Sequence, residues 1–132
     1  MKIGDTYEVC GTVTDKNTAE SLGSGGLAVF GTPFLAAMME NAAFLLMQKD
    51  LPEGKSSVGT MLSISHVSPS PVGMRVRAVA EVVSVSENGK MIDFKVTGYD
   101  EAGLIGEGTH QRAVITTERF MSKCLAKLDA KQ

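Results

Sequence analysis

Glu40 stands almost alone as a polar group in PFLAAMMENAAFLLMQ, where only Asn41 and Gln48 accompany it. At helical spacing Ala36, Glu40, Ala43 and Met47 fall on one stripe, which sets its carboxylate among small and apolar neighbours. A carboxylate there is costly to desolvate unless a reaction or a partner uses it; it could act as base or nucleophile, or reach a backbone donor or basic side chain at the stripe's edge. His66 shares a strand face with Leu62 and Ile64 and stands at the strand's end just before the turn SPSPVG, a place where reactive groups are often held on a rigid frame. A hydrogen-bonded structural histidine fits that position as well. Thr32, before Pro33, is fully accounted for as a helix N-cap. His110 and Arg112 share a face with Gly108 in GEGTHQRAVI, a strand whose glycines permit close approach of a ligand or another backbone. An exposed or dimer-facing polar pair is the competing reading, and for His110 the favoured one.

These groups need elements to hold them. Tyr7 to Val13 alternates β-formers with polar residues and reads as a strand; Asp15 to Gly26, rich in Gly, Ser, Thr and Asn, reads as a mobile loop. Helix formers from Thr32 or Pro33 to Gln48 predict a helix, with Pro33 in the favoured first position. Because that helix is apolar nearly all round, other structure must wrap it. Four strand-like runs follow: Val58 to Val67, Met74 to Ser86, Met91 to Asp100 and Leu104 to Thr116. The turns SPSPVG, ENGK and DEAG between them are short, so neighbouring strands run antiparallel as a meander. In the second run a period of two separates Met74, Val76, Ala78, Ala80 and Val82 from Arg75, Arg77, Val79, Glu81 and Val83. The expectation is an α+β domain, a curved antiparallel sheet around a central helix, with a short amphipathic or frayed terminal helix from Glu118 to Lys131.

Composition narrows the function. At 132 residues, with 43% hydrophobic and 21% charged side chains, the chain has the make-up of one globular domain, residues 1–132. A formal net charge of −2 offers no broad basic field, which argues against a nucleic-acid partner. No apolar run approaches the roughly 20 residues of a membrane-spanning helix, and the start MKIGDTYEVCGTVT lacks the apolar stretch of a signal peptide, so a cytoplasmic protein is expected. Cys10 and Cys124 stand far apart without a CxxC pairing, which fits reduced thiols and neither a disulfide nor a metal site. The segments GSGG and GEG do not follow a strand-to-helix phosphate-binding pattern.

Taken in order, VFGTPFLAAMMENAA, LPEGKSSVGTMLSISHVSPSPVGMRVRAVAEV and DEAGLIGEGTHQRAVI resemble the fluoroacetyl-CoA thioesterase family of hotdog-fold enzymes, from about Val29 to Ile115. The shared elements are the Thr-Pro step with a Glu eight residues on, the VGT strand, the His before a Ser-Pro turn, and the Ile-Gly-x-Gly-x-His-x-Arg strand. The resemblance implies a hotdog fold and a homodimer, with tetramers left open, whose active sites lie at the subunit interface. It implies hydrolysis of an acyl-CoA, with CoA as part of the substrate and no separate cofactor. It also implies a catalytic set of Thr32, Glu40 and His66, and substrate contacts at Gly59, Arg112 and Phe30. An aromatic lid before the central helix belongs to the family member selecting fluoroacetyl-CoA; here the stretch is SLGSGGLAV, with no aromatic until Phe30, so that specificity is not carried over.

A thioester needs a nucleophile and oxyanion stabilisation but little help for its leaving group, since a thiol of pKa about 8.5 departs readily as thiolate. Glu40 is expected as nucleophile or base, His66 to position or deprotonate water, and Thr32 to hydrogen-bond carboxylate or substrate. In one continuous helix Thr32 and Glu40 lie about 12 Å apart along the axis. Either Thr32 belongs to a bent segment, or it serves the Glu40 of the partner subunit; the second is favoured. Arg75, Arg77 and Arg112 are candidates for the CoA phosphates, with solvation of an outer sheet face as the alternative for the first two. A non-catalytic acyl-ligand-binding module is the competing function. The Asp and His pair of a hydratase of this fold is not apparent.

Overall fold

Ala, Leu and Met dominate the run from Thr32 to Gln48, and in the computed structural model, which describes residues 1–130, it forms one continuous 17-residue helix, here α2 (Thr32–Gln48). Its N-cap is Gly31, not Thr32, which is instead the first helical residue. Gly31 is wedged against the preceding segment: a Cβ there would lie 3.3 Å from the Thr18 carbonyl oxygen and 3.2 Å from the Ala19 nitrogen. The cap thus falls one residue early and leaves the Thr32 hydroxyl free for another partner.

Five strands surround the helix: β1 (Thr6–Thr12), β2 (Lys55–His66), β3 (Arg75–Val85), β4 (Met91–Asp100) and β5 (Gly103–Thr116). They form one antiparallel sheet in the order β1-β3-β4-β5-β2. The β3-β4-β5 meander is as expected, its turns made by Gly89 and Gly103 at positive φ. The expected pairing of β2 with β3 does not occur. β2 pairs with β5 at the sheet's edge, and β1 takes the place beside β3. Between β2 and β3 the link carries Pro69 and Pro71, which restrict φ and donate no hydrogen bond, so it crosses the sheet rather than folding as a hairpin.

Two further expectations change. Asp15 to Gly26 is not simply a loop: it holds the one-turn helix α1 (Ala19–Leu22), capped by the Thr18 hydroxyl on the Ser21 amide and closed by Gly23 at φ 76°. The carboxy-terminal stretch forms two short helices, α3 (Thr117–Leu125) and α4 (Lys127–Ala130); Lys131 lies outside the described residues. No helix among the described residues is long and apolar enough to cross a membrane.

The core joins one stripe of α2 to the inner sheet face. Leu35, Met39, Ala42, Ala43, Leu46 and Met47 pack against Val76, Ala78, Ala80 and Val82, the period-two set of β3, and against Phe94 and Val96. The opposite flank of the helix is less covered than its apolar composition implies: Ala37 and Asn41 are exposed, and Met38, Phe44 and Leu45 are only partly buried. Position along the sheet is set by Leu35. Gly98 and Gly106 are paired neighbours on β4 and β5, and a Cβ on either would lie 2.6 Å or 2.8 Å from a Leu35 methyl. The two glycines form a seat that Leu35 fills with zero exposure, a burial that contributes roughly 1.5–3 kcal/mol.

The seat predicts a coupled pair. Gly98→Ala lowers unfolding free energy by about 1–3 kcal/mol through overpacking, and Leu35→Ala by about 2–5 kcal/mol through a cavity. The double variant is less destabilised than the sum of the two, because the added methyl enters the vacated space. Urea unfolding of the four proteins measures this; strict additivity would show that Leu35 does not set the packing at Gly98.

Candidate active site

Leu35 lies over Gly106, and Gly106 pairs with His66 at the end of β2. One turn earlier on α2, Thr32 therefore meets that strand end, and its Oγ1 lies 2.7 Å from His66 Nδ1. Among the described residues, His66 Nε2 is buried without a hydrogen-bond partner. An unpaired buried nitrogen is costly, and such atoms concentrate where a reaction or ligand uses them. Burial lowers the His66 pKa below the ordinary imidazole value, an effect the Ser68 backbone partly offsets. The pair opens on a cavity of about 270 Å³ whose wall includes Ser24, Val29, Phe30, Val67 and Pro69. Phe30 is itself 2% exposed and is the one aromatic ring there besides the imidazole.

A second polar cluster lies farther along both elements. Glu40 is half-buried on α2 and faces Gly59 of β2: a Cβ on that glycine would lie 3.2 Å from Glu40 Oε2, 3.2 Å from His110 Cε1 and 3.5 Å from an Arg112 Nη1. Three side chains converge on this one point of the strand, so a side chain larger than glycine there would displace them. Arg112 donates from Nε to Ser57 Oγ at 2.9 Å and from Nη2 to the Ser57 carbonyl at 3.0 Å. Its Nη1 lies 3.2 Å from His110 Nε2, and His110 Nδ1 lies 2.7 Å from the Met61 carbonyl. Guanidinium nitrogens and carbonyl oxygens have one role each, so His110 is neutral with its proton on Nδ1: it donates to Met61 and accepts from Arg112. Burial lowers the pKa of both His110 and Arg112; for Arg112 the Glu40 charge pulls the other way. β2 is bulged here, between Gly59 and Met61, which leaves Thr60 out of register with β5.

The expected residues thus fall into two groups. Thr32, His66 and Phe30 come together; Glu40, Gly59 and Arg112 come together elsewhere. With residues 32–48 in one helix, Thr32 and Glu40 are about 12 Å apart along it, which removes the alternative of a bent segment at Thr32. His110 and Arg112 are not an exposed pair: they are 1% and 7% exposed. The hint to their burial was their shared strand face, but only the tertiary fold supplies Gly59 as the surface they close upon. Arg75 and Arg77 lie on the outer sheet face, where Arg77 pairs with Glu8 at 2.7 Å and stacks on Tyr99, and neither takes part in the contacts of either group.

The two lowered histidines fix a direction for stability against pH. Below about pH 6.5 the unfolded imidazoles bind protons that the native ones resist, so the unfolded state gains on acidification. Stability therefore falls as pH drops through that value, and His110→Gln removes part of the slope. Urea midpoints between mildly alkaline and mildly acidic buffer test this; an unchanged slope in the variant would mean that His110 titrates normally.

The model of the fluoroacetyl-CoA-specific thioesterase family matches residues 13–118. The fluoroacetyl-CoA thioesterase of Streptantibioticus cattleyicolor is 37% identical over 102 residues, which cover 77% of this chain and 72% of that protein. A solved structure of a fluoroacetyl-CoA-specific thioesterase variant with fluoroacetate and CoA superposes with a TM-score of 0.84 at 32% identity, over 91% of this chain and 99% of that one. A thioesterase superfamily member from Thermus thermophilus gives a TM-score of 0.86 at 25% identity, over 98% and 96%. The fold is the hotdog arrangement that the sequence resemblance implied. Matched over most of its length in sequence and in structure, the chain belongs to the fluoroacetyl-CoA-specific thioesterase family.

Proposed function

We propose that the chain hydrolyses a small acyl-CoA thioester to the free acid and CoA. Thr32, Glu40 and His66 are its catalytic set, and Gly59, Arg112 and Phe30 surround the acyl group. The observation that carries this reading is the 2.7 Å contact between Thr32 and His66 at a cavity of about 270 Å³, with Nε2 of the ring left unpaired. With Nδ1–H donating to the Thr32 oxygen, Nε2 presents a lone pair that takes a proton from water. The lowered pKa keeps the ring in this neutral, basic form near pH 7. Backbone amides at the Gly59 bulge and the Arg112 guanidinium supply positive potential where the thioester oxygen gains charge. The thiolate then leaves without a strong acid.

Glu40 belongs to the same chemistry as a nucleophile or second base, and its distance from Thr32 calls for a second subunit. β2 is an edge strand whose outer side pairs with nothing among the described residues, an arrangement that invites strand addition. Two-fold pairing of this edge runs the strands antiparallel and brings the His66 end of one toward the Gly59 region of the other. In such a homodimer Thr32 and His66 act with Glu40 of the partner subunit. The reading treats the chain as a single domain and uses no cofactor beyond the CoA of the substrate. A cytoplasmic location is part of the same proposal, supported by two exposed, unpaired cysteines. Fluoroacetyl selectivity is not part of it, because Phe30 is the only phenyl ring on the cavity wall.

Free-thiol release from short, branched and aromatic acyl-CoAs tests the reading. Turnover is expected for small acyl groups, and His66→Ala and Glu40→Gln, shown to be folded, each lower kcat by roughly 10²–10⁴-fold. Thr32→Ala lowers kcat by a comparable factor, since a ring that has lost its 2.7 Å partner is no longer held in the productive orientation. No release from the wild-type protein across the panel would leave an acyl-ligand-binding module in place of the enzyme.

A further inference from the structure

Four cations gather in a groove that the catalytic reading does not use. Lys55 opens β2, Lys90 closes the β3–β4 turn, and Arg119 and Lys123 stand one turn apart on α3; Phe120 and Thr116 complete a concavity of about 290 Å³. Among the described residues no carboxylate lines it, and the ion pairs found there, Met1 with Asp50 and Arg77 with Glu8, involve none of the four. In a chain of net charge −2 this is a local concentration of positive charge. Lys55 is held in place by its Nζ donating to Thr116 Oγ1 at 2.9 Å. Phe120 keeps 39% of its surface open and offers a flat face within the same groove.

The strand register sets the groove's distance from Gly59, the strand position that faces Glu40. Lys55 is paired with Thr116, and Gly59 with Arg112, so the two pairs are four residues apart along both strands, about 13 Å. Lys55, Ser57 and Gly59 alternate onto one face, the face that carries Arg112 and Thr116 on β5. A pantetheine arm has about thirteen bonds between sulfur and the first phosphorus. At the three bonds of an extended residue per 3.3–3.6 Å, it spans roughly 15 Å.

We propose that this groove binds the 3′-phosphorylated ADP end of CoA, with Lys55, Lys90, Arg119 and Lys123 on its phosphates and Phe120 against the adenine. The assignment rests on the thioesterase reading and replaces Arg75 and Arg77 as phosphate contacts. A thioester carbonyl at Gly59 and an extended arm put the diphosphate at the groove without any bend in the pantetheine. Ammonium and guanidinium groups suit three phosphates of closely spaced charge, and a base stacks on an exposed phenyl ring irrespective of sequence or substituent.

The test compares an acyl-CoA with the same acyl group on pantetheine, which lacks the nucleotide, using Lys90→Glu and the double variant Arg119→Glu/Lys123→Glu. These side chains are exposed and lie outside the catalytic set. For acyl-CoA the double variant raises KM roughly tenfold or more with kcat unchanged, while both constants for acyl-pantetheine stay at wild-type values. An unaltered KM for acyl-CoA, or an equal rise for acyl-pantetheine, overturns the assignment. Calorimetric titration with CoA itself separates this failure from failure of the enzyme reading. If the wild-type protein cleaves no thioester, CoA binding weakened at least tenfold by the charge reversals still supports the groove, and absent or unaffected CoA binding overturns it.

Discussion

The seat that Gly98 and Gly106 make for Leu35 governs where the long helix lies on the sheet, and with it the geometry of the site. A helix packed on a sheet by a smooth apolar stripe can slide or rotate at little cost; one whose leucine enters a two-glycine depression cannot. Gly106 is flanked by Gly98 on one side and by His66 on the other, so fixing Leu35 also fixes the turn before it against the end of β2. The Thr32–His66 contact at 2.7 Å follows from that placement. Gly31 contributes by taking the cap position, which spares the Thr32 hydroxyl from the backbone.

A second close approach, at Gly59, gathers the other group of polar side chains. Burying Arg112 and His110 beneath a carboxylate is costly unless their hydrogen-bonding groups are met. Here Ser57, Met61 and the two side chains themselves meet them. The cluster therefore leaves the Glu40 carboxylate facing a cation that is already held by neighbours, rather than locked in a bidentate pair. Meanwhile the unpaired Nε2 of His66 stands at the far end of the same strand. Both polar groups are thus tied to β2, which with β1 forms the two edges of the sheet among the described residues.

Local pattern carried much of this fold. The strong helix formers of α2, the alternation in β3 and the limits of β4 at Met91 and Asp100 were all legible, because each depends on spacing within one segment. Pairing was not: β2 meets β5 across 39 to 60 intervening residues, from His66↔Gly106 to Lys55↔Thr116, and a two-proline link looks in sequence like any tight turn. Thr32 was read as a cap because the crowding that places Gly31 there comes from Thr18 and Ala19. Spacing alone left Glu40 and His66 open, and the family resemblance supplied their roles. The burial of His110 and the basic groove were invisible for one reason, since residues 55, 90 and 119–123 become neighbours only after the sheet has formed.

The division of the site between two subunits is the central claim, and subunit mixing tests it most directly. Thr32→Ala and Glu40→Gln proteins, each inactive or nearly so, are combined at equal concentration, and subunit exchange is verified by mass. In mixed dimers one site carries both substitutions and the other carries neither, so activity returns to roughly one quarter of the wild-type level. No recovery in a preparation that has demonstrably exchanged subunits would mean that Thr32 and Glu40 of the same chain serve the same thioester, and the two-subunit site would be wrong.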